Sequence, residues 1–225
     1  MENNIHGVLQ YIMAFPSVYD MTNASMTTVR KQHFWEYFSG STLNSRWSLN
    51  GSNVGTGMND EVDGGYSVMS AASGYNKTSI YFANKCQYSP TESVFIANAK
   101  FSRTNDGTWG LIGLSDDGSD NSQRAYIGKM DSAQSTNFGA WTSNASGAYI
   151  NTSGTIAQDT SYHIFKGVLG SSKFLGSIDG TLNTTSTGVS HYLPTASLQP
   201  TILSMANAAN PSISVTVNYF EVYNT

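Results

Sequence analysis

The chain has 225 residues, of which only 12% are charged, and it has a formal net charge of −4. Serine, threonine, asparagine and glycine together account for 95 residues, while the charged share is about half the ~25% of an average soluble domain. This composition excludes a helical bundle, which needs Ala, Glu, Lys and Leu. It also excludes a nucleic-acid-binding protein, because 11 Lys and Arg stand against 15 Asp and Glu.

The N-terminal segment differs from the rest of the chain. Its apolar stretch Val8–Phe15 ends at Pro16 and is shorter than the ~20 apolar residues that span a bilayer. We therefore expect no membrane insertion, and the polar start predicts no signal peptide. Residues 1–33 are predicted to form an extended or strand-swapping arm, through which the chain self-assembles or contacts other proteins. Residues 34–225 then form one domain.

From Phe34 onward, short strand-like runs alternate with turn signals such as Asp106-Gly107 and Asp179-Gly180. The last run alternates, with Ile213, Val215, Val217 and Tyr219 expected on one face. Roughly a dozen such runs and no long amphipathic pattern predict an all-β fold, an antiparallel two-sheet β-sandwich. The clearest runs are Ser79–Ala83, Ser93–Phe101, Trp109–Leu114, Ala125–Gly128, Phe138–Trp141, Tyr162–Leu169, Phe174–Ile178 and Ile213–Tyr223.

Four phrases carry a family resemblance. Glu36–Trp47 resembles the opening D-x-F-S-G-x-x-L-x-x-x-W, and Asp63–Tyr66 resembles the D-G-G-L that follows it. Tyr162–Gly180 resembles a Y-x-I … I-D-G hairpin, and Val217–Tyr223 resembles the closing V-D-Y-V-R-V-Y. In this order they resemble the concanavalin A-like lectin and glucanase (laminin-G-like) family, of the kind found in phage and viral surface proteins. The resemblance implies a jelly roll with a concave, glycan-binding sheet.

The same resemblance provides a test for enzyme activity. Laminarinase-type members of that family carry E-x-D-x-x-E on one strand, where two carboxylates act as nucleophile and acid/base. This chain has five Glu, and Glu61-Val62-Asp63 supplies only E-x-D, with Tyr66 in place of the second Glu. The corresponding region Phe138–Thr142 has no carboxylate. We therefore expect that the protein is not an enzyme.

Aromatic residues are the candidates for glycan contact, because sugar rings stack their C–H faces on aromatic rings. The central strands contain Trp109, Tyr126, Trp141 and Tyr149, which we predict to bind carbohydrate. Gly139 shares a strand face with Trp141, so that this ring is expected to stand clear over an open surface. The alternative is that these rings are core residues, as most aromatics in a sandwich are.

One loop concentrates oxygen ligands. Asp116, Asp117 and Asp120 fall within five residues, and Ca²⁺ prefers six to eight oxygen ligands. The loop is a candidate calcium site, and the alternative is a solvated turn, since the spacing is not that of an EF-hand. The four histidines are scattered, which argues against zinc, and His163 is expected to be a packed, hydrogen-bonded strand residue.

Together these features predict a non-enzymatic virion structural or surface protein, a capsid, decoration or fibre component that binds host glycans. It would be made in the cytoplasm and located on the particle surface, where residues 1–33 would mediate self-assembly or contact other virion proteins. One alternative is a stand-alone carbohydrate-binding lectin module. The other is a glycoside hydrolase with a rearranged site.

Overall fold

The structure is a computed structural model, and it describes residues 32–39, 42–51, 56–58, 65–72, 76–83, 87–104, 106–118, 123–187, 192–207 and 211–225. These residues contain no helix, and hence none long and apolar enough to cross a membrane. Fifteen strands are present in them: β1 (His33–Tyr37), β2 (Ser48–Gly51), β3 (Gly57–Met58), β4 (Tyr66–Met69), β5 (Lys77–Tyr81), β6 (Ser93–Phe101), β7 (Thr108–Ser115), β8 (Arg124–Lys129), β9 (Asn137–Ser143), β10 (Tyr149–Ala157), β11 (His163–Gly170), β12 (Lys173–Ile178), β13 (Thr181–Thr187), β14 (Gln199–Ala206) and β15 (Ser214–Asn224).

The strands form two antiparallel sheets, which confirms the predicted all-β sandwich. Sheet 1 has the order β13-β12-β11-β6-β15-β4-β3, and β1 pairs with β15 beyond the end of β4. Sheet 2 has the order β10-β9-β8-β7-β14-β5-β2. The predicted arm lies almost wholly outside the described residues, since β1 already begins at His33, so that its role in assembly stays a prediction.

The two sheets meet at an aromatic and aliphatic core. Phe95 of sheet 1 is fully buried and stacks on Phe220 and Phe174, with ring centroids 6.4 Å and 6.2 Å away. Trp47 is also buried, with its ring 4.8 Å from Phe82. Sheet 2 contributes alternate residues of its central strands to this core, among them Ile112, Ile127 and Phe138.

The opposite face of sheet 2 carries a second apolar cluster. It is formed by Trp109, Leu111, Tyr126, Met130, Trp141, Leu203 and Met205, which are all buried. Side chains of a strand alternate between the two faces of its sheet, so β7 and β14 place one set of residues in the core and the other set in this cluster. This double burial explains why these strands read as continuous apolar runs.

A bulge in β15 changes one prediction. The register of β15 against β6 shifts between Val217 and Tyr219, so one extra residue is accommodated there. Val217 therefore faces the core, whereas Tyr219 faces outward and Phe220 takes the next inward position. The expectation that Tyr219 shares a face with Val217 is wrong, because a single extra residue reverses the alternation beyond it.

The predicted Asp179-Gly180 turn joins β12 and β13. Both residues have positive φ, 49° and 79°, which is the backbone geometry of a tight hairpin turn. The Asp179 carboxylate accepts the backbone N–H of Ile164 at 2.8 Å and contacts Nδ1 of His163 at 2.6 Å. Asp159 contacts the other ring nitrogen of His163 at 3.0 Å, so this turn is tied to the start of β11, and His163 is hydrogen-bonded as expected.

We predict that Phe95→Ala destabilises the fold by about 3–5 kcal/mol, because it removes a fully buried ring that packs on Phe174 and Phe220 and leaves a cavity. Urea unfolding followed by tryptophan fluorescence measures this loss. Ile164→Ala, at an exposed position on the outer face of sheet 1, is the matched control and should change the free energy of unfolding little. An equal effect of both substitutions would contradict the assignment of the core.

We also predict that stability falls as the pH rises through the His163 titration. Burial by itself lowers the pKa of His163, but its hydrogen bonds to Asp179 and Asp159 outweigh burial, and the pKa is raised. The stabilisation by these hydrogen bonds is therefore complete below about 6.5, the pKa of His163 in the unfolded chain. It is lost as the pH rises through the higher pKa that His163 has in the folded protein. Unfolding curves at acidic and alkaline pH measure it, and His163→Gln should remove the dependence in this window.

Candidate functional site

The outer face of sheet 2 contains a cavity of about 400 Å³ beside the second apolar cluster. We call it the tryptophan groove. Strands β5, β7, β9, β10 and β14 and the loop after β8 supply its walls. The residues that line it are Lys77, Trp109, Asp131, Gln134, Trp141, Tyr149, Asn151, Met205 and Asn207.

Three of the four predicted carbohydrate-binding residues meet in this groove. The rings of Trp109 and Trp141 lie 4.8 Å apart, and Tyr149 follows with its ring 5.9 Å from Trp141. Trp109 and Trp141 are each only 6% exposed, whereas Tyr149 is 54% exposed. The two tryptophans therefore form the floor of the groove, and Tyr149 presents an accessible ring at its edge.

The predicted orientation of Trp141 is wrong. The guanidinium of Arg124 lies 3.9 Å from the centre of the Trp141 ring and covers one of its faces. Met130 fills the space that Gly139 leaves, because a Cβ at Gly139 would lie 2.7 Å from Cγ of Met130. The ring is thus enclosed rather than standing clear.

Tyr126, the fourth predicted residue, does not present its ring to a ligand. It is fully buried in the second apolar cluster and does not line the groove. The reason is its place on β8, which lies between β7 and β9 in sheet 2. In this register Tyr126 is directly opposite Trp141 of β9. Large side chains on the neighbouring strands cover it.

Two polar atoms in the groove are buried without a hydrogen-bond partner among the described residues. They are Nε1 of Trp141, an N–H donor, and Oδ1 of Asn151, an acceptor. The two residues are cross-strand neighbours on β9 and β10, and the Asn151 amide donates to Oε1 of Gln134. A buried polar group without a partner costs about 1–3 kcal/mol, so this donor and acceptor favour a polar ligand at the groove.

Asp131 supplies a carboxylate to the groove lining. It lies two residues after the end of β8, and its Oδ1 accepts the backbone N–H of Ala133 at 2.8 Å. Its carbonyl oxygen accepts the N–H groups of Gln134 and Ser135, both at 2.9 Å. This Asx-turn geometry fixes the direction of the carboxylate and places Gln134 beside it.

Two buried side chains hold the loop that carries Asp131. Nε2 of Gln158 lies 3.0 Å from the carbonyl oxygens of Met130, Ser135 and Asn137. On the other side, Nζ of Lys129 donates to the carbonyl oxygen of Thr108 at 2.6 Å and pairs with the Asp106 carboxylate at 2.9 Å.

These contacts also shift the pKa values of Lys129 and Asp106. Burial lowers the pKa of Lys129, against the opposing effect of Asp106. Burial alone would raise the pKa of Asp106, but the hydrogen bonds from Thr108 and Lys129 outweigh it, and the pKa is lowered. The lowered pKa therefore keeps Asp106 ionised beside Lys129.

The predicted calcium loop is only partly described. Asp116 and Asp117 follow β7, and Oδ2 of Asp116 lies 3.4 Å from Nε2 of Gln123. Asp120 lies outside the described residues. No group of three His, Cys, Asp or Glu positioned to hold a metal occurs in the described ranges, and calcium binding by Asp116, Asp117 and Asp120 stays a prediction.

Sequence reasoning missed the polar half of the groove. Asp131, Gln134 and Asn151 come from a turn and from the edge strand β10, and no local motif marks them. One signal was available: Asp131 lies two residues beyond β8, the strand that pairs with the Trp141 strand, so a carboxylate near that strand end was a candidate for the same face.

Comparison with solved structures shows what the fold resembles. An endo-β-1,3-glucanase from Pyrococcus furiosus matches with a TM-score of 0.63 and 13% identity, over 85% of this chain and 93% of that one. A laminarinase from Flavobacterium sp. UMI-01 matches with a TM-score of 0.62 and 15% identity, over 85% and 99%. A glycoside hydrolase family 16 endo-glucanase from Bacteroides ovatus matches with a TM-score of 0.59 and 13% identity, over 84% and 99%.

At such identities the likeness establishes the fold, a two-sheet jelly roll of the concanavalin A-like type. No family model matches the chain, and no curated protein matches it. The comparisons nevertheless contradict two predictions, that of a virion structural or surface protein and that of a protein without enzyme activity. The similar structures are named as β-glucanases or laminarinases, and they give the predicted phage and viral context no support.

Proposed function

We propose that this protein binds a β-linked glucan in the tryptophan groove and hydrolyses it at a rearranged glycoside hydrolase site to which Asp131 contributes a carboxyl group. The observation that carries the proposal is the pair of unpartnered buried atoms, Nε1 of Trp141 and Oδ1 of Asn151, on residues that line the same groove as Asp131. The similarity in fold to endo-glucanases and laminarinases supports it.

The binding chemistry suits a sugar. A hydroxyl group both donates and accepts hydrogen bonds, so one sugar unit can accept from the Trp141 N–H and donate to the Asn151 oxygen. The exposed Tyr149 ring offers its face to the C–H side of a neighbouring unit. The charged groups of the lining, Lys77 and Asp131, carry opposite signs, and such a balanced pair suits a neutral polysaccharide.

Glycoside hydrolysis uses two carboxyl groups, one that transfers a proton to the leaving group and one that attacks the sugar or activates water. Asp131 would supply one of the two. The Asx-turn bond occupies Oδ1 of Asp131, and Oδ2 is the atom that would react. The substrates to test first are β-1,3-glucan and mixed-linkage glucan, on which the similar enzymes are named as acting.

For binding, we predict that Trp141→Phe, which removes the indole N–H donor and one of the two fused rings, weakens binding of a mixed-linkage glucan tetrasaccharide roughly threefold to tenfold. Isothermal calorimetry measures the dissociation constant. Trp47→Phe is the matched control, because Trp47 also has a buried, unpartnered Nε1 but lies in the core. If both variants bind like the wild type, the groove is not the binding site.

For hydrolysis, we predict that Asp131→Asn lowers kcat by on the order of 100-fold or more, since the amide cannot donate or accept a proton as the carboxyl group does. Release of reducing ends from mixed-linkage glucan measures the rate. Asp159→Asn, an exposed carboxylate beside His163, should leave the rate unchanged. Absence of any hydrolysis by the wild type would refute the catalytic part of the proposal and leave binding to be judged by the Trp141→Phe experiment.

A further inference from the structure

A second aromatic surface lies on the other side of the sandwich, on the outer face of sheet 1. Strands β1 and β15 pair there with three consecutive outward cross-strand pairs: His33 with Tyr223, Trp35 with Glu221, and Tyr37 with Tyr219. Five of these six side chains are rings. We call this surface the outer platform.

The rings of the outer platform are accessible. Trp35 is 48% exposed and Tyr37 is 63% exposed. The two residues alternate along β1 and so lie ~7 Å apart on the same face. The Tyr37 ring packs against Tyr219 at 4.8 Å, and the His33 ring packs against Trp35 at 5.1 Å. The inward residues Phe34, Phe220 and Val222 already supply the core at this point, so the fold does not require aromatic rings on the outside.

A fixed carboxylate stands at the centre of these rings. Oε2 of Glu221 accepts the hydroxyl of Tyr219 at 2.6 Å, and Oε1 lies 2.8 Å from Nε2 of His33. Burial and the hydrogen bond to Glu221 raise the pKa of Tyr219, which keeps this hydroxyl a donor. A carboxylate has about four acceptor positions, so two bonds leave Glu221 with capacity for further hydroxyl donors.

We propose that the outer platform is a second carbohydrate-binding site, which holds a β-glucan polymer by stacking on Trp35 and Tyr37 and by hydroxyl donation to Glu221. The proposal rests on the proposed function for the class of its ligand. The chemistry of the platform selects that ligand over an apolar protein face, because such a face would bury the Glu221 carboxylate without replacing its water. A polyol covers the rings with C–H groups and supplies donors to the carboxylate at the same time.

The position of the platform gives it a distinct role. It lies on sheet 1, whereas the tryptophan groove lies on the outer face of sheet 2, so the two sites face opposite ways and cannot share one short oligosaccharide. A polymer network can occupy both sites, and the second contact then raises retention through effective concentration. The platform therefore matters for polymeric glucan and not for a tetrasaccharide in the groove.

Affinity electrophoresis of the full chain in gels that contain mixed-linkage glucan tests this proposal. The double variant Trp35→Ala/Tyr37→Ala should weaken the apparent affinity for the polymer on the order of tenfold. Trp35→Phe/Tyr37→Phe, which keeps both rings, should retain most of the affinity. Leu182→Ala, an exposed apolar residue on β13 of the same sheet, is the control and should behave like the wild type.

The outcomes separate the two proposals. If Tyr149→Ala weakens retardation and the double alanine variant does not, the platform proposal is wrong and the groove stands. If the double alanine variant weakens retardation and Tyr149→Ala does not, the platform stands and the groove proposal is wrong. If the wild type is not retarded, both are wrong. If sedimentation shows a dimer that only the double alanine variant loses, and retardation is unchanged, the platform holds a second copy of the chain and the proposal is overturned.

Discussion

Burial on both faces of sheet 2 is the constraint on which the rest of the structure depends. One face of β7, β8 and β9 packs on sheet 1 through residues such as Ile127 and Phe138, and the other face carries the second apolar cluster around Trp109 and Trp141. Because both faces are packed, the strands cannot slip by one residue without exchanging the two sets. That fixed register brings Trp141, Asn151 and Tyr149 into one groove and holds them there.

Much of the fold could be predicted because its signals are local. The Asp179-Gly180 step marks a tight turn by its residue types, because Asp and Gly tolerate the positive φ that such a turn needs. The reversal at Tyr219 could not be predicted, since a bulge depends on the pairing partner β6 and not on β15 alone. That one extra residue decides whether Tyr219 faces the core or the outer platform.

The candidate site was also predictable only in part from the sequence. The chain order predicted which aromatic residues lie near one another, but not how far each is exposed. Exposure depends on side chains from other strands: Arg124 covers one face of Trp141, and Tyr126 is enclosed because its strand is the middle one. The polar groups depend on still more distant contacts, since Asp131 is oriented by a turn that Gln158, from the end of β10, holds in place.

The chain has few charged residues, and its carboxylates differ in the groups that bind them. In the described residues, Asp106 is bound to Lys129, Asp179 and Asp159 are bound to His163, and Glu221 is bound to His33 and Tyr219. Asp131 differs, because its Oδ1 contact is a backbone N–H, which orients the group without neutralising its charge. The oriented carboxylate lines the same groove as the unpartnered N–H donor of Trp141, so one ligand can meet both groups. That combination distinguishes Asp131 from the carboxylates that stabilise turns and strand ends elsewhere in the sandwich.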